Sequence, residues 1–291
     1  MSVAFDPFLY VAFAAGFIAG RLVRPRSPWV PRGTLLTVVV LVGLLGASMD
    51  AVPWFSLLTT VPVALAFAGL ILGLTAGIAL ALAALRPPPP EPAVRATADE
   101  RLPLSLVLLA SLLVGLGVGR VVELPAAAAI PWVLYVLLAL VGFDIPLRLA
   151  ALKGVWIPLT AASVGALVAA ILFSFADHLA LSASLATALG FGFYSLAGPL
   201  VAARAGALLG LLAFLTNFLR EDLTMLLSPY LGRRLRGPGL AALGGATSMD
   251  TTLYFVTRYG DSEAGSLALA TGLVLTVAAS LVLPAVLALP I

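Results

Sequence analysis

From Pro7 to Phe175 the chain is a succession of apolar runs, each close to the length that crosses a bilayer. In hydrocarbon every backbone N–H and C=O must find a partner inside the protein, and a helix provides one within its own segment. Spans are expected near Pro7 to Gly20, Thr34 to Met49, Trp54 to Leu85, Leu102 to Gly119, Pro131 to Ile145 and Trp156 to Phe175. Hydrophobic residues fill 62% of the 291 positions and charged residues 10%, so an all-α polytopic membrane protein is the expected class. The chain has no cysteine, which removes disulfides, thiolate metal sites and cysteine nucleophiles. Its net charge of +3 comes from arginines at the edges of the apolar runs rather than from a nucleic-acid face. The first run, Phe8 to Gly20, precedes its arginines instead of following them, which argues against a cleavable signal.

The segment Arg86 to Arg101, with prolines at 87 to 90, is polar and stiff and reads as a cytoplasmic linker. An echo straddles it. Gly16, Gly20, Arg21, Pro28-Trp29-Val30 and a run ending in Asp50 and Pro53 recur as Gly115, Gly119, Arg120, Pro131-Trp132-Val133 and a run ending in Asp144 and Pro146. Residues 1–86 and 102–178 are therefore expected to form two three-span units, with 87–101 between them and a transport core over 179–291. Three spans is an odd number, so the second unit would enter from the opposite side, the inverted-repeat arrangement of many secondary transporters. The plain alternative is chance recurrence of glycine, proline and tryptophan in a biased sequence.

Glycine-rich polar blocks interrupt the last third at 190–199, 217–222 and 244–252. A charge at membrane depth costs about 2.5 to 3.5 kcal/mol on insertion scales, so such residues mark cavities and pathways. Gly192 to Leu200 aligns without gaps on Gly245 to Leu253, and a long apolar segment follows each. Both copies read as a broken element followed by a full span. With the amino terminus outside and both broken elements re-entrant, Arg21 to Arg32, Arg86 to Arg101, Arg148, Lys153, Arg233, Arg234, Arg236 and Arg258 fall inside, and only Arg120 and Arg204 fall outside. About eight transmembrane helices plus two re-entrant hairpins from opposite faces, with both termini outside, is the expected topology.

Asn217, Glu221, Thr224 and Ser228 fall at i, i+4, i+7 and i+11, one polar stripe on the helix after the first break. The stripe would line a path; alternatively Glu221 pairs with an arginine of a neighbouring helix. Asp222 places a second carboxylate beside it. Asp250 sits among Thr247, Ser248, Thr251 and Thr252, where it either contacts substrate or caps a helix. Ser195 holds the matching place in the first break. Asp50 ends the second span in Ser48-Met49-Asp50, as the second break carries Ser248-Met249-Asp250, and reads equally as an interfacial carboxylate. Asp144 beside Pro146 reads as structural, and His178 with Asp177 as solvated.

Three blocks in order, Gly190-Phe191-Gly192-Phe193-Tyr194-Ser195-Leu196-Ala197-Gly198, then Asn217 with Arg220-Glu221, then Gly244 to Leu253, resemble the signature blocks of the prokaryotic lysine exporter family, LysO. The resemblance is strong over roughly residues 185–270 and extends to the earlier spans only in layout. It implies export of L-lysine and close cationic analogues across the cytoplasmic membrane, with acidic membrane positions at Glu221 and Asp50. Asp222 stands where an apolar residue is usual.

Lysine carries two ammonium groups and a carboxylate, so its site needs separated carboxylates together with hydroxyl or amide groups; Glu221, Asp250, Ser195, Thr247 and Ser248 could supply them. No phosphate-binding loop of the Gly-rich Lys-Ser/Thr kind occurs, so ATP is not expected to drive transport, and exchange for a proton is. Neither cofactor nor metal nor catalytic residue is called for, and lipid is the expected surrounding; homo-oligomerisation stays open. An inorganic cation/proton antiporter is the alternative within the same class. An intramembrane hydrolase is the alternative outside it, weakened because Asp261 lacks the partner motifs of aspartyl proteases.

Overall fold

The computed structural model describes residues 7–22, 29–49, 52–84, 104–122, 124–144, 154–249, 251–260 and 264–289, and among them every regular element is helical. The six apolar runs form α1 (Pro7–Leu22), α2 (Trp29–Ala47), α3 (Trp54–Ala83), α4 (Leu104–Val121), α5 (Ala126–Asp144) and α6 (Trp156–Asp177). α2 and α5 begin earlier than expected. α5 takes in the alanines before Pro131, which are strong helix formers, so the proline lies inside the helix. α3, α6 and the later α11 (Ala264–Val286) are long and apolar enough to cross a membrane, and shorter apolar stretches lie in α1, α2, α4 and α5. Large apolar side chains such as Phe55, Leu58, Val114, Trp132 and Phe175 face outward, as lipid contact requires. The proline linker 87–101, Asp50 and Asp250 lie outside the described residues.

α1 packs on α5, α4 packs on α2, α2 and α5 lie against each other, and α3 packs on α6. Exchanging α1, α2 and α3 for α4, α5 and α6 maps these pairings onto themselves. The glycines of the echo make the equivalent contacts: a β-carbon at Gly16 or Gly20 would strike the carbonyls of Ala139 and Phe143, and one at Gly115 or Gly119 those of Gly43 and Ala47. Small residues let backbones approach this closely where no water is present to drive helices together. Phe67 stacks on Phe173 at 3.9 Å between ring centres and ties α3 to α6.

The last third is built differently. α7 (Leu181–Ala188) ends at a break over 189–193, and α8 (Tyr194–Ala205) runs to Gly206. α9 (Ala207–Gly244) bends at Arg236, whose φ of 54° and ψ of −167° are not helical. Its long limb, up to Leu235, covers about 40 Å at 1.5 Å per residue, more than the ~30 Å of hydrocarbon. That limb also carries Arg220, Glu221 and Asp222. The short limb from Gly237 ends in a 3-10 turn, Gly245–Met249, followed by α10 (Leu253–Tyr259) and α11. α9 lies against α3 and α8, and the 3-10 turn lies against α11.

Candidate functional site

The two breaks meet. The amide of Ala246 donates to the carbonyl of Phe191 at 2.8 Å. Phe191 reaches this position with φ of 51°, Gly192 with 91° and Gly245 with 64°. Glycine occupies such conformations without a side-chain penalty, whereas phenylalanine does so at a cost of about 1–2 kcal/mol. A β-carbon at Gly245 would also collide with the Phe191 carbonyl. Thus the glycine-rich sequence of each block is needed for the two backbones to touch.

Asn217 fixes the first break from α9. Its Oδ1 accepts from the Gly192 amide at 2.8 Å, and its Nδ2 donates to the carbonyls of Thr187 at 2.8 Å and Ala213 at 2.9 Å. Both of its amide protons are spent on backbone. A β-carbon at Gly190 would stand 2.8 Å from the same amide group. Tyr194, at the start of α8, sits edge-on to Phe214 and Phe218 of α9, which closes the side of this junction.

The stripe on α9 is buried along its length: Asn217, Thr224 and Ser228 are fully covered and Glu221 is 3% exposed. Thr224 donates to the Arg220 carbonyl at 2.7 Å and Ser228 to the Thr224 carbonyl at 2.6 Å. In the second break Thr247 donates to the Gly244 carbonyl at 2.9 Å, and Ser248 lies 2.7 Å from the carbonyl of Gly245 and 2.8 Å from that of Ala268. A hydroxyl that has given its proton to a carbonyl offers a ligand only lone pairs, so these side chains are acceptors. Acceptors of this kind suit a cation rather than an anion.

Of the residues singled out in the sequence, Asn217, Thr247 and Ser248 come together where the breaks join. Ser195 lies one residue into α8 and is buried. Glu221 and Thr224 continue along α9, Asp222 and Thr251 are half-buried, and Asp50 and Asp250 are not among the described residues. Sequence reasoning named Arg220 beside Glu221 but gave it no role of its own; it is fully buried. Its Nε donates to the carbonyl of Leu243 and its Nη2 to that of Ala242, both at 3.1 Å, so it spans the bend and holds the carboxyl end of the short limb. The signal was available: an arginine inside an apolar helix requires partners. Thr252, 3.4 Å from the Thr247 hydroxyl, and Gly272, packed on Met249, also shape the second break.

The family model described as Lysine exporter LysO matches residues 109–287. The chain belongs to the LysO lysine exporter family. This is a family of transporters and not of enzymes. The match covers α5 to α11, and therefore both breaks and the whole of the α9 stripe. Among curated relatives, the chain is similar to "Lysine exporter LysO" of Escherichia coli, with 37% identity over 113 residues, 39% of this chain and 38% of that protein. It is also similar to "Putative lysine exporter" of Haemophilus influenzae, with 28% identity over 112 residues, 38% of this chain and 57% of that protein. The matched segment thus spans about two-fifths to little more than half of these LysO relatives. No solved structure matches the chain.

Proposed function

We propose that this protein is a secondary active transporter that exports L-lysine and close cationic analogues across the cytoplasmic membrane in exchange for protons. The observation that carries this reading is the junction of two broken elements, where Thr247 and Ser248 offer acceptors, fastened to a buried α9 stripe that carries Glu221, Thr224 and Ser228 in a LysO family member. Glu221 is the carrier: it holds a proton in one direction and the substrate's ammonium in the other. Asp250 and Asp50 are the further carboxylates, and Ser195, Thr251 and Asp222 complete the set of contacts. Moving a monocation outward opposes an inside-negative potential by about 2.3 kcal/mol per 100 mV. One proton taken in for each lysine sent out makes the cycle electroneutral.

In this reading α7 with α8, and the short limb of α9 with α10, are re-entrant hairpins from opposite faces. α1 to α6, the long limb of α9 and α11 are the eight spans. The interchangeable pairing of α1–α3 with α4–α6 supports an inverted repeat. Both termini and the loop at Asp177 and His178 lie outside. The deciding experiment is counterflow of labelled lysine in proteoliposomes with and without a pH gradient. Uptake driven by the gradient and competed by unlabelled lysine is expected; transport of Na+ or K+ without lysine would favour an inorganic cation antiporter instead.

A further inference from the structure

We propose that Arg220 is the receptor for the substrate's carboxylate, the group by which an amino acid differs from a simple diamine; this rests on the reading of the protein as a lysine exporter. The guanidinium is the largest fully buried side chain, and its charge persists in any physiological condition. A buried cation is expensive unless its donors are satisfied. The two carbonyls at the end of the short limb satisfy Nε and Nη2, but Nη1 is buried with no hydrogen-bond acceptor among the described residues. A buried polar group left in this way is uncommon in a folded protein and points to a ligand. The planar fork of a guanidinium matches a carboxylate, with charge assistance.

The location agrees with that role. Nη2 lies 3.0 Å from where a β-carbon on Gly245 would stand, and the next residue, Ala246, bonds to Phe191 of the first break. The guanidinium therefore sits where the two breaks join, next in the chain to Glu221. In the turn that follows Gly245, the hydroxyls of Thr247 and Ser248 have turned their protons to backbone and can receive ammonium but offer no proton to an anion. Lysine presents both kinds of group. Arg220 would hold the carboxylate, and Glu221 with the hydroxyls an ammonium.

The test compares equilibrium binding of L-lysine, lysine methyl ester and 1,5-diaminopentane to the purified full chain in detergent, for the wild type and for Arg220→Gln, which keeps one amide donor for the limb carbonyls. The wild type is expected to bind lysine at least tenfold more tightly than the ester or the diamine. Arg220→Gln should lose at least tenfold in lysine affinity while its affinity for the diamine holds or rises, because a fixed positive charge has gone. Equal loss for all three ligands would mean that Arg220 only holds the limb, and would overturn the proposal. Where the variant does not fold, the wild type decides alone: equal binding of lysine and its ester overturns the carboxylate role and leaves the exporter reading standing. A wild type that binds none of the three overturns both.

Discussion

The amide of Ala246 and the carbonyl of Phe191, 2.8 Å apart, join two breaks that are separated by the whole of α8 and α9 in sequence. Each break interrupts helical hydrogen bonding, and each supplies what the other lacks: a carbonyl on one side, an amide on the other. Asn217 and Arg220, about one helical turn apart on the long limb of α9, then fasten one break each through the Gly192 amide and the carbonyls of Ala242 and Leu243. The long limb is thus a common post for both breaks. Glu221 follows Arg220 directly in the chain, with its side chain about 100° further round the helix.

Gly245→Ala is predicted to abolish transport. The added methyl group would meet the Phe191 carbonyl, and φ of 64° with ψ of −126° is a conformation that side chains oppose. The strain alone is about 1–3 kcal/mol. Lysine counterflow and the thermal unfolding midpoint should both fall. Unchanged transport by a normally stable variant would show that the contact between breaks is dispensable.

Asn217→Ala removes three hydrogen bonds and leaves the Gly192 amide buried without its acceptor. The expected loss is about 1–3 kcal/mol for the stranded donor, read as a lower unfolding midpoint in detergent. Asn217→Asp keeps the acceptor for Gly192 but loses both donors to Thr187 and Ala213, so it should be no milder. If either variant kept full stability and lost only lysine affinity, Asn217 would be a direct substrate contact rather than a clamp.

The helices of the first two-thirds were legible because hydrocarbon leaves an apolar run few other conformations, and α1, α3 and α6 start at the expected residues. The stripe on α9 was legible from helical periodicity alone. The meeting of the breaks was only half legible: the glycines of 190–192 and 244–245 announced irregular backbone, but not that the two segments bond to each other. Arg220 was not legible in its actual role. Its partners lie across a bend at Arg236, a residue with positive φ that no propensity marks. Asn217 was recognised as important, but the stripe pattern does not distinguish a lining amide from one whose protons are all spent on backbone.

The proposed topology predicts that a single cysteine replacing Arg95, in the linker between the two three-span units, reacts with an impermeant maleimide only after the membrane is opened. A cysteine at Asp177 should react in intact cells. The natural absence of cysteine makes both measurements clean. Labelling of position 95 from outside would invert the topology and with it the direction in which the two hairpins enter.

Glu221→Gln is predicted to retain the fold and to lose proton-driven lysine export. Gln is close to Glu in shape and keeps a carbonyl oxygen, so the buried face of α9 stays filled while the charge proposed to alternate between proton and ammonium is gone. The protein should reach the membrane in normal amount, and a pH gradient imposed on proteoliposomes should move no labelled lysine. Exchange of lysine for lysine needs no net proton movement, so residual counterflow at equal pH on both sides would be compatible with this role, and its rate should no longer vary with pH. Full gradient-driven transport by Glu221→Gln would assign Glu221 to packing alone and leave Asp250 and Asp50 as the carboxylates to test by the same substitution to the amide.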